Sequence, residues 1–160
     1  MLLKNKKIVI FGVANKYSIA TGIARSMHEQ GAELAFAYQN ERLLKNIQPI
    51  AKELGSEILI ECDVSNDNSI DQAFKDLTNQ WNKFDGLVHS IGFAPADQLE
   101  GNFVDVTTRE GFKIAHDISS YSFTALAKAS KPYLNENAAL LTLRLLYTSD
   151  AADDVASVVL

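Results

Sequence analysis

The stretch that decides the fold of this chain is Lys7-Ile-Val-Ile-Phe-Gly-Val-Ala-Asn-Lys-Tyr-Ser-Ile-Ala-Thr-Gly22. Its apolar, β-branched start, Lys7–Phe11, predicts a short buried strand that ends at Gly12. Apolar residues at helical spacing then predict a helix over residues 18–30, with Ser18 as its N-cap. In this position a glycine lets the backbone turn tightly, and the helix N-terminus offers free N–H groups to a pyrophosphate. The spacing is not the common Gly-x-Gly-x-x-Gly, so an ordinary strand–helix turn stays open as the alternative.

Strands and helices alternate outward from this stretch. Further strands are predicted at residues 32–38, 57–62, 84–90 and 138–143. Helices are predicted at residues 41–54, with a kink or split at Pro49, at 66–81, and at 108–134, with a break near Pro132. Strands separated by such helices form βαβ units, which give a parallel sheet with helices on both faces. We therefore expect an α/β, Rossmann-like, doubly wound parallel sheet as one domain over residues 1–143, ending after about five strands.

Composition and charge exclude several classes of protein. The 160 residues include 15 Lys and Arg against 20 Asp and Glu, a net charge of −5, and the basic residues are scattered. Phosphate neutralisation needs clustered cations, so we expect no nucleic-acid binding. Apolar stretches such as residues 8–14 are far shorter than the roughly 20 residues that span a bilayer, and no signal peptide is visible, so we expect no membrane association. The lone Cys62 permits no internal disulfide, which indicates a reducing, cytoplasmic setting.

The histidines do not predict a metal site. His28, His89 and His116 are widely spaced in the sequence, and no Cys/His cluster accompanies them. We expect His89 to pack beneath the loop that follows the fourth strand, and His116 to face another helix. Trp81, at the end of a helix, is expected to lie in the core.

Three further segments lie where predicted strands end. Gln39 follows the second strand, where dinucleotide folds meet the adenosine ribose, and an uncharged amide there favours NADH over NADPH, although Arg42 is near enough to reach a phosphate. Asp63 follows the third strand and either accepts from an adenine amino group or caps the next helix. Gly92 follows the fourth strand and would let a cofactor approach the backbone. Together with Gly12 these segments share the carboxyl edge of the sheet, where parallel α/β folds bind ligands.

With these residues in view, the chain resembles the NADH-dependent enoyl-acyl-carrier-protein reductases of bacterial type II fatty-acid synthesis, a divergent branch of the short-chain dehydrogenase/reductase superfamily. The resemblance extends over about residues 4–143. The segments that carry it most specifically are residues 12–22, Gly31-Ala-Glu-Leu-Ala-Phe-Ala-Tyr-Gln-Asn40, Phe84-Asp-Gly-Leu-Val-His-Ser-Ile-Gly-Phe-Ala-Pro95, residues 108–123 and Ala139-Leu-Leu-Thr-Leu143.

The resemblance implies an NADH site, a fatty-acyl pocket and a homotetramer. The family transfers a hydride from NADH to a trans-2-enoyl thioester carried by acyl carrier protein. The residues that would contact NADH are Gly12, Ser18 and Ile19 at the pyrophosphate and its ribose, Gln39 at the adenosine ribose, Asp63 and Val64 at the adenine, and Ser90, Ile91 and Gly92 at the nicotinamide-side ribose. The residues that would border the acyl pocket are Phe93, Ala94 and Leu99.

The catalytic pattern of the family is not matched. The family has two tyrosines after the fifth strand and a lysine seven residues beyond the second. Here Leu145 stands where the first tyrosine belongs, and Tyr147 is followed by Asp154 where the lysine belongs. No lysine occurs after Lys131. We therefore assign no catalytic residue and expect the 160-residue chain to be inactive or nearly so.

Residues 144–160 do not resemble the family. The run Leu-Leu-Tyr-Thr-Ser-Asp-Ala-Ala-Asp-Asp is similar to a translated sequencing adapter, so we interpret this tail as artefactual. The alternative is a genuine divergent C-terminal helix that begins near Ser149 or Asp150. Two other functions also stay open: a different short-chain reductase that acts on a carbonyl or alcohol, and a non-catalytic NAD-binding module in which the tail is native.

Overall fold

Five parallel strands form one sheet in the order β3-β2-β1-β4-β5. The computed structural model describes residues 1–143. The strands are β1 (Lys7–Phe11), β2 (Glu33–Tyr38), β3 (Ile58–Glu61), β4 (Phe84–His89) and β5 (Leu134–Thr142). The predicted Rossmann-like parallel sheet is confirmed, and the reversal of strand order falls between β1 and β4. The expectations about Leu145, Tyr147, Asp154 and a helix near Ser149 lie outside the described residues.

Helices cover both faces of the sheet. The helices are α1 (Ile19–Glu29), α2 (Glu41–Glu53), α3 (Asp67–Gln80), α4 (Phe103–Val106), α5 (Arg109–His116) and α6 (Ser122–Ser130). One apolar cluster packs α1 and α2 against one face of the sheet, around residues such as Phe36 and Ile47. The other packs α3 and α6 against the opposite face, where the rings of Phe74 and Phe84 stack with centroids 6.0 Å apart. Trp81 is buried in this second cluster, as predicted.

The sequence expectations for α2 and for the N-terminus of α1 are each met in part. Helix α2 runs through Pro49 without a split. Pro49 lies on the exposed side of the helix, where water can bind the carbonyl that the missing N–H leaves free. Ser18 occupies the N-cap position of α1, as predicted, but its side chain makes no capping bond, and its hydroxyl instead donates to the Asn15 carbonyl at 2.7 Å.

The long helical region differs from the sequence expectation at its middle and its end. A π-helical segment, Asp117–Tyr121, joins α5 to α6. The helix ends at Ser130 and is followed by a 3₁₀ turn, Lys131–Tyr133, so β5 starts earlier than the predicted residue 138. This early start is possible because Asn137 adopts a left-handed φ of 64° and the pairing of β4 with β5 shifts register beside it.

The expected position of His116 is also wrong. Its ring is exposed and stacks on Phe112 of the same helix, with centroids 4.4 Å apart. His28 is exposed as well. His89 alone of the three is buried, under the loop that follows β4, as expected.

Candidate functional site

The carboxyl ends of the first four strands meet at one open cavity. Because β1 to β4 are all parallel, the loops that follow them emerge at the same edge of the sheet. The predicted site residues that line the cavity are Gly12, Gln39, Val64, Ser90, Ile91, Gly92 and Phe93. The structure therefore brings together segments that are distant in sequence around one crevice.

The floor of this crevice depends on the contact between Gly12 and Ser90. Gly12 has a φ of 97°, a conformation that side-chain-bearing residues rarely adopt. A Cβ added at this position would overlap the carbonyl group of Ser90. The Ser90 N–H donates to the Phe11 carbonyl at 3.0 Å, which extends the pairing of β1 with β4 into the loops. Glycine is thus required here so that the loop after β4 can pass directly against the loop after β1.

The loop between Gly12 and α1 is held by its own hydrogen bonds. The Asn15 carbonyl accepts from the hydroxyls of Ser18 and Thr21, each at 2.7 Å. The Asn46 side chain, on α2, donates to the Ala14 carbonyl at 3.0 Å. No side chain caps the N-terminus of α1, so this helix end can offer its N–H groups to an anion.

Ser18 and Ile19 lie at the start of α1, beside the cavity and outside its lining. The Ser18 hydroxyl accepts from the Ala14 N–H at 3.4 Å, and Ala14 does line the cavity. Ile19 is 70% exposed. Both residues therefore border the open rim of the crevice.

At the opposite end of the crevice, Gln39 lines the cavity and pairs with Asp63, which lies outside the lining. The Gln39 amide nitrogen lies 3.4 Å from the Asp63 carboxylate, which also accepts from the N–H of Ser65 at 3.0 Å and its hydroxyl at 2.8 Å. Burial acts to raise the pKa of Asp63, but these hydrogen bonds outweigh it, and the pKa lies below its ordinary value. Asp63 is therefore ionised at neutral pH. The alternative role as a helix cap belongs to Asn66, whose side chain accepts from the first turn of α3.

Gly92 and the residues after it form the other rim. Nothing lies within 4 Å of a Cβ added at Gly92, so its backbone faces open space. Phe93 is 50% exposed at the mouth of the cavity. Ala94 is half-buried and Leu99 is 69% exposed, and neither lines the cavity. The structure thus places Phe93 at the crevice and leaves Leu99 on the surface beyond it.

A polar network centred on the buried side chains of His89 and Ser122 lies directly under this rim. His89 Nε2 is 2.8 Å from the Ser122 hydroxyl, and His89 Nδ1 is 3.0 Å from the Thr142 hydroxyl. Because the Ser122 hydroxyl donates to the Ile118 carbonyl at 2.6 Å, we assign the proton of His89 to Nε2, with Thr142 donating to Nδ1. Burial lowers the pKa of His89, which keeps the ring neutral.

Several residues of the site were not found by sequence reasoning. Ile118 lines the cavity, Ser119 binds the backbone of Phe93, and Asn46 binds the loop before α1. All three lie on helices whose apolar periodicity does not reveal which polar face will meet a loop. The polar Asp-Ile-Ser-Ser run at the centre of a long helix is the one signal that could have directed attention to Ile118 and Ser119.

Neither metal-binding nor membrane-spanning features occur among residues 1–143. No group of three or more His, Cys, Asp or Glu side chains in this part of the chain is placed to hold a metal ion. No helix among the same residues is both long and apolar enough to cross a bilayer.

The sequence matches a family profile and several characterised proteins. The profile described as enoyl-(acyl carrier protein) reductase matches residues 12–158. The chain is 59% identical to the enoyl-(acyl-carrier-protein) reductase (NADH) FabI of Escherichia coli strain K12. The alignment extends over 144 residues, which are 90% of this chain and 55% of that protein. The chain is 56% identical to the FabI of Haemophilus influenzae, and that alignment covers the same fractions of the two proteins. The chain thus spans about half the length of the curated relatives that it matches.

Solved structures that are similar to this chain are also enoyl-(acyl-carrier-protein) reductases. The structure of enoyl-(acyl-carrier-protein) reductase (NADH) from Aquifex aeolicus VF5 superimposes with a TM-score of 0.85 at 46% identity, covering 89% of this chain and 56% of that one. The reductase of Anaplasma phagocytophilum, solved in complex with NAD, gives a TM-score of 0.83 at 40% identity, covering 89% and 54%.

Proposed function

Because this chain belongs to the enoyl-(acyl carrier protein) reductase family, we propose that its crevice binds NADH and that the whole protein reduces the double bond of trans-2-enoyl thioesters on acyl carrier protein. The observation that carries the proposal is the meeting of four loops at one crevice, with Gly12 packed against Ser90 at its floor. NADH supplies the hydride when it is bound, and the residues around the crevice hold and orient it.

The proposed placement of NADH follows the geometry of the crevice. Its pyrophosphate would lie at the uncapped N-terminus of α1, bordered by Gly12, Ser18 and Ile19. Its adenosine end would lie at Gln39, Asp63 and Val64, and its nicotinamide-side ribose along Ser90, Ile91 and Gly92. The acyl chain would then lie beyond this rim, against Phe93, Ala94 and Leu99.

The pairing of Gln39 with Asp63 supports NADH over NADPH. The ionised Asp63 carboxylate can accept from an adenine amino group or a ribose hydroxyl, while a 2′-phosphate would bring a second negative charge beside it. Arg42 is exposed and takes part in no ion pair within residues 1–143. The relatives named as NADH enzymes and the neighbour solved with NAD agree with this preference.

Reduction needs a hydrogen-bond donor for the charge that develops on the thioester oxygen. In the family a tyrosine gives that bond and a lysine orients the cofactor ribose, but no lysine follows Lys131 in this sequence. We therefore propose that the 160-residue chain binds NADH without reducing enoyl thioesters. We further propose that the whole protein is cytoplasmic and homotetrameric. We also propose that residues 144–160 are foreign to it, although the profile match extends to residue 158, and independent resequencing downstream of codon 143 would test this.

Titration of the purified chain with NADH and NADPH tests the proposal. We expect saturable binding of one NADH per chain, weaker binding of NADPH, and no turnover of a crotonyl thioester. Absence of saturable NADH binding by a folded chain would refute the cofactor assignment. Turnover at the rates common for this enzyme class, about 1–10³ s⁻¹, would refute the inactivity of the chain.

A further inference from the structure

A single hydroxyl holds the backbone of the rim above the cavity. The Phe93 N–H donates to the Ser119 hydroxyl at 2.9 Å, and the same hydroxyl donates to the Phe93 carbonyl at 3.1 Å. Ser119 therefore satisfies both backbone groups of one loop residue, as a neighbouring strand would do. Among the described residues, these two are the only hydrogen bonds to the backbone from Ile91 to Ala94.

Ser119 reaches the loop because it lies in the π-helical segment. This segment, Asp117–Tyr121, interrupts a helix at the level of the cavity, and its Ile118 lines the cavity wall. Such π segments interrupt the regular α-helical hydrogen-bond pattern and occur frequently at functional sites. Here the irregularity places Ile118 and Ser119 side by side at the crevice.

The long helical region contacts the chain on both sides of Gly92, at the end of β4 and in the loop that follows it. Before Gly92, His89 bonds to Ser122, whose hydroxyl in turn donates to the Ile118 carbonyl. After Gly92, Ser119 binds Phe93. The part of the rim assigned to the nicotinamide-side ribose is thus held on both sides, by Ser122 at the start of α6 and by Ser119 in the π-helical segment.

We propose that Ser119 is a positioning residue for the cofactor site. By fixing the backbone of Phe93 it holds the Ser90–Gly92 segment in its binding geometry before the cofactor arrives. Gly92 has no side chain and faces open space, so without this anchor the rim would sample many conformations and binding would have to order it. The inference rests on the proposed binding of NADH to this crevice.

The test compares NADH binding by the chain and by Ser119→Ala, Ser119→Thr and Ser120→Ala. Loss of two hydrogen bonds and of rim order should weaken binding about tenfold in Ser119→Ala. Ser119→Thr keeps the hydroxyl and should recover most of this loss. Ser120 is exposed and makes no side-chain hydrogen bond within residues 1–143, so Ser120→Ala should bind as the parent does.

Hydrogen exchange at the Phe93 amide gives the second readout. This amide should be protected in the unliganded chain and in Ser119→Thr, and should exchange about tenfold faster or more in Ser119→Ala. If Ser119→Ala does not fold, Ser119→Cys, which keeps the size with a weak donor, is measured in its place. Equal NADH affinity and equal Phe93 protection in the parent and the variant would overturn the inference. No NADH binding by the parent, with Phe93 still protected, would instead refute the proposed function on which it rests.

Discussion

The carbonyl group of Ser90 occupies the space that a side chain at Gly12 would need. Gly12→Ala would force these two loops apart and would also place alanine at a φ of 97°. We expect a loss of about 2–4 kcal/mol in the free energy of unfolding and at least tenfold weaker NADH binding. Chemical denaturation and NADH titration measure the two effects.

Gly22→Ala is the matched control for this prediction. Gly22 lies in the first turns of α1, and nothing lies within 4 Å of a Cβ added there. Alanine should stabilise the helix by about 0.5–1 kcal/mol and leave NADH binding unchanged. The account of Gly12 fails if both glycines tolerate alanine equally.

Charge at position 39 should control the preference between NADH and NADPH. Gln39→Arg introduces a cation that can pair with a 2′-phosphate, so we expect about tenfold tighter NADPH binding. Gln80→Arg adds the same charge at the far end of α3 and should leave the preference unchanged. Parallel titrations with both nucleotides measure the ratio. An equal response in the two variants would mean that net charge alone, and not position 39, sets the preference.

Stability should fall in mildly acidic solution because of His89. Burial lowers its pKa in the folded state, so below the ordinary value of about 6.5 the unfolded chain binds more protons than the folded chain. The stabilisation is complete above about pH 6.5 and is lost as the pH falls from there toward the lowered pKa. His89→Gln should flatten the pH dependence in this window, whereas His28→Gln, at an exposed position, should retain it. Denaturation midpoints across this range provide the measurement, and an unchanged slope in His89→Gln would contradict the assignment.

Cys62 should react slowly in the folded protein although it lines the cavity. Burial, with a smaller contribution from Asp63, raises the pKa of its thiol to about 12. Since the thiolate is the reactive form, alkylation near neutral pH should be about 10³-fold slower than in the denatured chain. Iodoacetamide labelling followed by mass spectrometry measures both rates. Comparable rates in the two states would show that the thiol is not protected.

The sequence predicts the sheet well because its strands are continuous apolar runs. The bounds predicted for β1, Lys7–Phe11, are those of the structure. The sequence does not reveal the start of β5, because Asn135, Glu136 and Asn137 are polar and the strand depends on a register shift against β4. Pairing across the sheet decides that boundary, and local periodicity carries no information about it.

The candidate site could be predicted only in part. Gly12, Gln39 and Gly92 follow strands of the same parallel sheet, so topology alone brings them together. Ser119 belongs to a helix, and its contact with Phe93 depends on how that helix is placed and on its π-helical segment. Such contacts are tertiary, and residue spacing along the chain does not report them.

Amide chemical shifts during titration with NADH test the central claim most directly. If the crevice binds NADH, the largest changes fall on Gly12, Gln39, Val64 and Gly92, which lie on four separate loops but line one cavity. Amides at the C-terminal end of α3, such as that of Gln80, should not move. Saturable shifts confined to those four loops agree with the account, whereas shifts elsewhere, or none at saturating NADH, contradict it.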